Sequence, residues 1–422
     1  KAALNITGNL TFDYLDADAS EGHTEISLSN ESVLDVTGKT YINHTGGGAF
    51  NWTLTNTSQV VLRDSLFWYK SGGRQSFLGL TGTATFESSK YAEFRNSNGA
   101  EDLMVDIAGG KLTVSGDLML NSTNINEDVL IAVNGSGNEL EVTNDIYFKA
   151  VDDADVSINL TTSAKLLIGG DFKRPTNYGV ITMDATSSLE YNSNTNQQSI
   201  ACNRMSLAVL DSFDLKNVSF NNTSGLPMKL EGTLRVYDEL VLGTGIIQTN
   251  EDTLIILEDQ ASISGGSTTS FIDGPIRKIG RTTGSAVTLP LGENGVYAPM
   301  THSKVENVKP ASTYTARFRS CPPPFGNTNL ASGLEGITEN QYWELETGLG
   351  SDSVNVGLHW SDGASLGITS TAPLVVAMGD ETNPTAPEWV SIGQGSLTGD
   401  VTAGSVFNLT SCPPPFGNTK FT

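Results

Sequence analysis

The same nine residues occur twice near the C-terminal end: Ser320-Cys321-Pro322-Pro323-Pro324-Phe325-Gly326-Asn327-Thr328, and again Ser411-Cys412-Pro413-Pro414-Pro415-Phe416-Gly417-Asn418-Thr419. The thiol in each copy offers redox chemistry. In an oxidising compartment the pair could close as a Cys321–Cys412 disulfide, or the two loops could act as joints that dock or cross-link subunits. Plain duplication without chemistry is the remaining reading. Three consecutive prolines hold each copy near polyproline II and deny it regular ladder pairing. The third cysteine, Cys202, reads as a small buried hydrophobe.

Calcium is the one cofactor the residues suggest. Asp16, Asp18 and Ser20 alternate as the oxygen ligands of a calcium loop do, but Gly22 falls one place late and Ser27 stands where a bidentate glutamate belongs. Asp152, Asp153 and Asp155 form a second acidic cluster. The plainer reading of both is an acidic, solvated corner, with no cofactor at all. None of the four histidines, His23, His44, His302 and His359, falls in a metal or triad motif, and no Gly-x-Ser-x-Gly, His-Glu-x-x-His or phosphate loop is present. Polysaccharide cleavage is the enzyme class that survives. It needs paired carboxylates, or Ca²⁺ with a basic residue, on one face; Asp171, Lys173 and Arg174 lie close enough in sequence to share a coil edge. Trp52, Trp68, Trp343, Trp360 and Trp389 offer rings for carbohydrate stacking, although the last three sit in strand-like runs that read as core.

The elements that must position these residues announce themselves by repetition. An apolar–x–apolar run, a small-residue corner and a further apolar residue recur as Leu4-Asn5-Ile6-Thr7-Gly8-Asn9-Leu10, Leu112-Thr113-Val114-Ser115-Gly116-Asp117-Leu118 and Leu166-Leu167-Ile168-Gly169-Gly170-Asp171-Phe172. Taking Ile6, Val36, Leu62, Phe86, Val114, Val142, Ile168 and Leu189 as equivalent, the steps are 30, 26, 24, 28, 28, 26 and 21 residues. A period in this range marks a solenoid. Two alternating strands per coil are expected, joined by polar corners such as Thr55-Asn56-Thr57-Ser58. Together they predict a parallel β-helix over residues 1–272. Beyond it the texture changes: of 15 prolines, 13 lie past residue 270. Six strand-like runs (313–319, 341–345, 353–360, 374–378, 389–392 and 405–409) predict an antiparallel β-sandwich over 273–422.

Composition narrows the partners. Twenty-four Lys and Arg against 47 Asp and Glu leave a net charge of −23. Such a chain is ill-suited to nucleic acid or to anionic membrane surfaces. No apolar run reaches the length needed to span a bilayer. The chain opens almost directly on a strand phrase, as a mature or trimmed product would.

Several phrases, taken in order, resemble the repeat regions of large surface proteins exported by the type IX secretion system of Bacteroidota. They are Ser188-Leu189-Glu190-Tyr191 with Gln197-Gln198-Ser199-Ile200, Phe271-Ile272-Asp273-Gly274-Pro275-Ile276 leading into Leu289-Pro290-Leu291-Gly292, and Glu339-Asn340-Gln341-Tyr342-Trp343-Glu344-Leu345 followed by Val356-Gly357-Leu358-His359-Trp360. The resemblance is most specific between residues 188 and 400. It implies an extracellular protein with a role in adhesion, gliding or matrix; the sorting domain that usually follows is not part of this chain, as after removal or truncation. It further implies O-glycans at Asp–Ser/Thr–apolar triplets, which makes Ser65, Thr253 and Ser353 candidate acceptors. The 13 Asn-x-Ser/Thr triplets then read as corner and ladder chemistry.

The expectation is a secreted or cell-surface, non-enzymatic structural or adhesive protein, all-β, with a solenoid shaft and a terminal docking module. Its partners would be copies of itself, other surface proteins or glycans, and it could be a fibre subunit. The alternative is a polysaccharide-cleaving β-helix enzyme, a lyase or glycosidase.

Overall fold

Period-two alternation makes a strand with one apolar and one polar side, and a coil closes when several such strands turn their apolar sides to one axis. The computed structural model describes the chain apart from residues 1, 16–22, 98–100, 124–127, 152–154, 175–177, 196, 201–203, 207–208, 212, 281–285, 305–311, 325, 327–328, 349–352, 364–367, 381–386 and 413–416. The chain forms two compact units, Lys1–Leu226 and Pro227–Thr422. The described residues are all-β, without an α-helix.

The first unit is a parallel β-solenoid with three strands per coil, one more than the sequence suggested. In one coil these are Gln59–Leu62, Leu66–Lys70 and Ser76–Leu80. The next coil repeats them as Thr85–Ser88, Tyr91–Asn96 and Leu103–Ile107, each pairing in parallel with its predecessor. The strand left out of the sequence reading is the one that follows the small-residue corner with no turn of its own. In the first sheet the register runs Ile6, Val36, Leu62, Ser88, Val114, Val142, Ile168, Tyr191. The steps are therefore 30, 26, 26, 26, 28, 26 and 23 residues. Phe86 lies opposite Val60 and Leu189 opposite Leu166, two residues from the equivalence drawn above. A slip of two preserves the inward face, so alternation alone cannot detect it.

The small-residue corner exists because successive coils nearly touch there. A Cβ built on Gly116 would stand 1.3 Å from the carbonyl oxygen of Lys90, and one on Gly169 would stand 2.1 Å from that of Thr143. At the polar corners Asn30 and Asn56 take positive φ, 55° and 57°, a conformation asparagine tolerates, and their side-chain amides meet from coil to coil at 3.3 Å. Inside, large rings from adjacent strands interlock: Trp68 lies 5.5 Å from Phe50, 6.2 Å from Trp52 and 6.0 Å from Phe94.

One inward line of the second sheet is polar. His44, Lys70, Asn96 and Ser122 succeed one another in register and all are buried. The Lys70 ammonium donates to the Gly72 carbonyl at 3.0 Å, and His44 Nε2 donates to the Gly48 carbonyl at 2.7 Å. His44 Nδ1 has no acceptor among the described residues, so a second ring proton would be buried unpaired. Burial depresses the His44 pKa; the Gly48 bond opposes the shift and the Lys70 charge adds to it. The folded pKa lies below the unfolded 6.5, so this contribution is complete above about pH 6.5 and is lost as pH falls. The urea midpoint of the full chain should fall between pH 7.5 and pH 5.5, and His44→Gln should flatten that dependence. An unchanged slope in the variant would assign the pH effect elsewhere.

The second unit begins with further parallel coils. Leu234–Thr244 pairs with Ile255–Leu257 and Ser262–Gly265, and Ile247–Gln248 pairs with Ile272–Asp273, which pairs with Leu291–Glu293. The strand Ile276–Ile279 is the switch: parallel to Ile255–Leu257 on one side and antiparallel to Thr313–Arg319 on the other. The boundary drawn after residue 272 just precedes this switch, whereas the compact units divide at 226/227. From the switch strand an antiparallel sheet continues through Tyr342–Thr347, Gly417–Phe421, Ala377–Asp380 and Glu388–Ser391. A second antiparallel sheet runs Ala286–Leu289, Met300–Lys304, Val354–Trp360, Gly404–Phe407, Ser396–Gly399. The two meet as a sandwich, with the His302 ring 5.1 Å from that of Tyr314 and Trp343 Nε1 donating to the Ala298 carbonyl. Each of the six strand-like runs overlaps a strand of these two sheets.

Candidate functional site

Outward positions of a solenoid face water, and polar residues normally occupy them. On the second sheet of the first unit they carry rings instead. One line along the axis reads Thr11, Tyr41, Phe67, Glu93, Met119, Tyr147, Lys173, one residue per coil. Beside it Asp13, Asn43, Tyr69, Arg95, Asn121 and Lys149 make a second line. Tyr41 and Phe67 stack at 5.2 Å with planes 13° apart; Phe67 lies 5.6 Å from Tyr91 and 6.1 Å from Tyr69. All four are half-buried, so ring surface remains open to solvent. Cations flank the rings: Lys39 lies 5.8 Å from the Phe67 centroid, Arg95 5.2 Å from that of Tyr69 and Lys173 5.3 Å from that of Tyr147.

A carboxylate ties this surface together. Glu93 is 5% exposed although its strand position points outward, because its neighbours cover it. Arg95 pairs with it at 2.8 Å, and the Tyr69 and Tyr91 hydroxyls each donate to it at 3.4 Å. Burial, then the Glu93 charge, raises both phenol pKa values. They stay neutral donors, and the rings are held in place. Further along, Asp145 accepts from Lys173 at 2.5 Å, from the Tyr147 hydroxyl at 2.9 Å and from the Asp171 N–H at 2.7 Å. Burial alone would raise the Asp145 pKa, but these donors outweigh it and hold the carboxyl below its ordinary range. Both acids are thus committed to local partners. What the face offers a ligand is ring surface with polar groups at its margins, which suits the C–H faces and hydroxyls of sugar rings.

The residues singled out in the sequence lie elsewhere. All five tryptophans are buried, none above 5% exposed, so none is available for stacking; their large apolar rings fill the two cores. Cys321 and Cys412 are both free thiols, Cys321 exposed and Cys412 buried, so the structure does not join them. Cys412 is fixed by main-chain bonds to Val354, and burial pushes its thiol pKa up to about 12. The duplicated loops differ in conformation. In the first copy Cys321, Pro322, Pro323 and Pro324 follow Thr313–Arg319 and lead to a turn in which Gly326 N–H donates to the Pro323 carbonyl. In the second, Gly417, Asn418 and Thr419 are ladder residues opposite Thr347, Glu346 and Leu345. Phe325, Pro413, Pro414, Pro415 and Phe416 lie outside the described residues, as do Asp16, Asp18, Ser20, Asp152 and Asp153. Asp155 is buried, and its carboxylate accepts the Val151 N–H at 3.1 Å. No group of three or more candidate metal ligands occurs among the described residues. Of the candidate glycan acceptors, Ser65 is buried with its hydroxyl on Asp64, Thr253 lies in a turn closed by Asn250, and Ser353 is half-buried. Asp171 and Lys173 do share a coil edge, as an ion pair of 3.3 Å.

The aromatic face was missed in the sequence although a signal was there: Tyr41, Phe67 and Tyr147 occupy the same outward slot of their repeats. No helix among the described residues is long and apolar enough to cross a membrane. Comparison with protein-family models, with curated proteins and with solved structures gave no match.

Proposed function

We propose that this is a secreted or cell-surface adhesive protein whose β-solenoid presents the aromatic face to glycans and catalyses no reaction on them. The observation that carries the reading is the group of outward rings on the second sheet: Tyr41 and Phe67 in one line, Tyr69 and Tyr91 beside them, and Tyr147 further along that line, past Glu93 and Met119. Strands in neighbouring coils lie about 4.8 Å apart. Tyr41 and Phe67, in register on neighbouring coils and stacked at 5.2 Å, suit consecutive sugars of a chain laid along the axis. The committed state of Glu93 and Asp145 favours binding over catalysis, since a free general acid and a free base are what hydrolysis requires. The resemblance of residues 188–400 to type IX-exported surface proteins of Bacteroidota supports the extracellular location.

Retention of the purified chain in native gels cast with soluble polysaccharides tests the reading. Phe67→Ala should weaken retention on the polysaccharide that binds the parent by about five- to tenfold, with thermal stability little changed. A Phe67→Ala variant retained as well as the parent would overturn the proposal for this face. Release of new reducing ends or unsaturated products would establish the enzymatic alternative instead.

A further inference from the structure

The second unit holds a different kind of surface. Three guanidiniums gather on the outer side of Ile276–Ile279 and Thr313–Arg319, in a chain whose net charge is −23. Arg277, Arg317 and Arg319 line one open groove of about 190 Å³. Their partners differ. Arg319 is spent, its Nε donating to Glu344 at 2.8 Å. Arg317 reaches no carboxylate closer than Glu293, at 3.6 Å from its Nη2, and its side chain is 22% exposed. Arg277 donates Nε to Thr315 Oγ1 at 2.9 Å, and among the described residues no carboxylate stands within ion-pairing distance of it. Two forked donors on adjacent strands therefore face the groove with N–H capacity unused.

The rest of the lining says what kind of anion would fit. Glu251 and Glu346, both exposed, stand on the same groove. They repel a ligand charged along its whole length but accept hydrogen bonds from hydroxyls. Leu254 and Pro275 supply an apolar wall. One carboxylate, several hydroxyls and an apolar C–H face describe a uronic acid residue. We infer that this groove binds an acidic saccharide, with the uronate carboxylate on Arg277 and Arg317, its hydroxyls on Glu251 and Glu346, and its ring against Pro275. Planar guanidinium and carboxylate pair through two parallel hydrogen bonds, a geometry that lysine cannot reproduce. The site is separate from the aromatic face and does not depend on it.

Calorimetric titration of the full chain with trisaccharides that carry one galacturonate, glucuronate or mannuronate between neutral sugars, and with their methyl esters, tests the inference. At least one acid should bind, its ester about tenfold or more weaker, with affinity falling as salt rises. Arg277→Ala and Arg317→Ala should each raise Kd by about tenfold or more at unchanged thermal stability, and Arg277→Lys should recover only part of the loss. The inference fails if none of the three acids binds, if acid and ester bind alike, or if both alanine variants bind as the parent does. Equal binding of hexaglutamate would also overturn it, assigning the groove to acidic peptides.

Discussion

Trp68→Ala should destabilise the first unit by about 3–5 kcal/mol, lowering the urea midpoint without changing the slope. Trp68 is fully buried on the inward side of Leu66–Lys70, where rings from Ala49–Leu54 and Tyr91–Asn96 close around it. Its Nε1 donates to Ser76 Oγ at 2.9 Å, so truncation also leaves a buried hydroxyl without its donor. A coil in a solenoid can relax little around a cavity, because its backbone is held by parallel partners on both sides. Tyr41 and Phe67 stand on the opposite side of the same sheet, and their alanine variants should stay within about 1 kcal/mol of the parent. If Trp68→Ala cost no more than Phe67→Ala, the division into a structural inner side and a solvent-facing outer side would not hold.

That division explains which parts of the protein could be read in its sequence. Val36, Val114, Val142 and Ile168 were placed in the core by alternation, and all four are fully buried. The positions misassigned, Phe86 and Leu189, are off by two residues, a displacement that leaves alternation intact. The third strand of each coil was hidden because Leu66–Lys70 and its equivalents follow the corner without Gly-Pro or Asn-Gly punctuation. The outward-facing rings and the arginines were harder to find. Tryptophan draws the eye as a stacking residue, yet these large rings do more for stability inside, and the outward rings are tyrosines and a phenylalanine, one or two to a repeat. The arginine groove gathers residues from three strands and two turns far apart in the chain, so no local pattern marks it. The twin nonapeptides show the converse limit. Identical residues take different conformations because Gly417–Phe421 finds Tyr342–Thr347 to pair with, while the first copy turns at Pro323–Gly326.

The other large effect belongs to a buried lysine. Lys278, on the strand where parallel pairing gives way to antiparallel, is 1% exposed, and its ammonium donates to the carbonyls of Glu258, Asp259 and Ala261. Those carbonyls belong to the turn that joins Ile255–Leu257 to Ser262–Gly265. Three N–H groups thus meet three main-chain acceptors, and the side chain of one coil clamps the turn of the coil before it. Lys278→Met keeps the stem and removes the donors. Each carbonyl then loses a charge-assisted bond, which should lower the stability of the second unit by about 2–4 kcal/mol. A gain on removing the charge opposes this loss, because a buried ammonium is costly to desolvate and an apolar substitute can be neutral or better where acceptors find water. The two terms separate by experiment. Chemical denaturation of Lys278→Met should show the loss, and amide exchange should quicken in the 258–261 turn. A variant as stable as the parent would mean that water replaces the ammonium and that the clamp is dispensable. A loss with an unaltered turn would overturn the clamp, since the variant keeps the stem, and the switch from solenoid to sandwich would then depend on the ladder at Ile276–Ile279 alone.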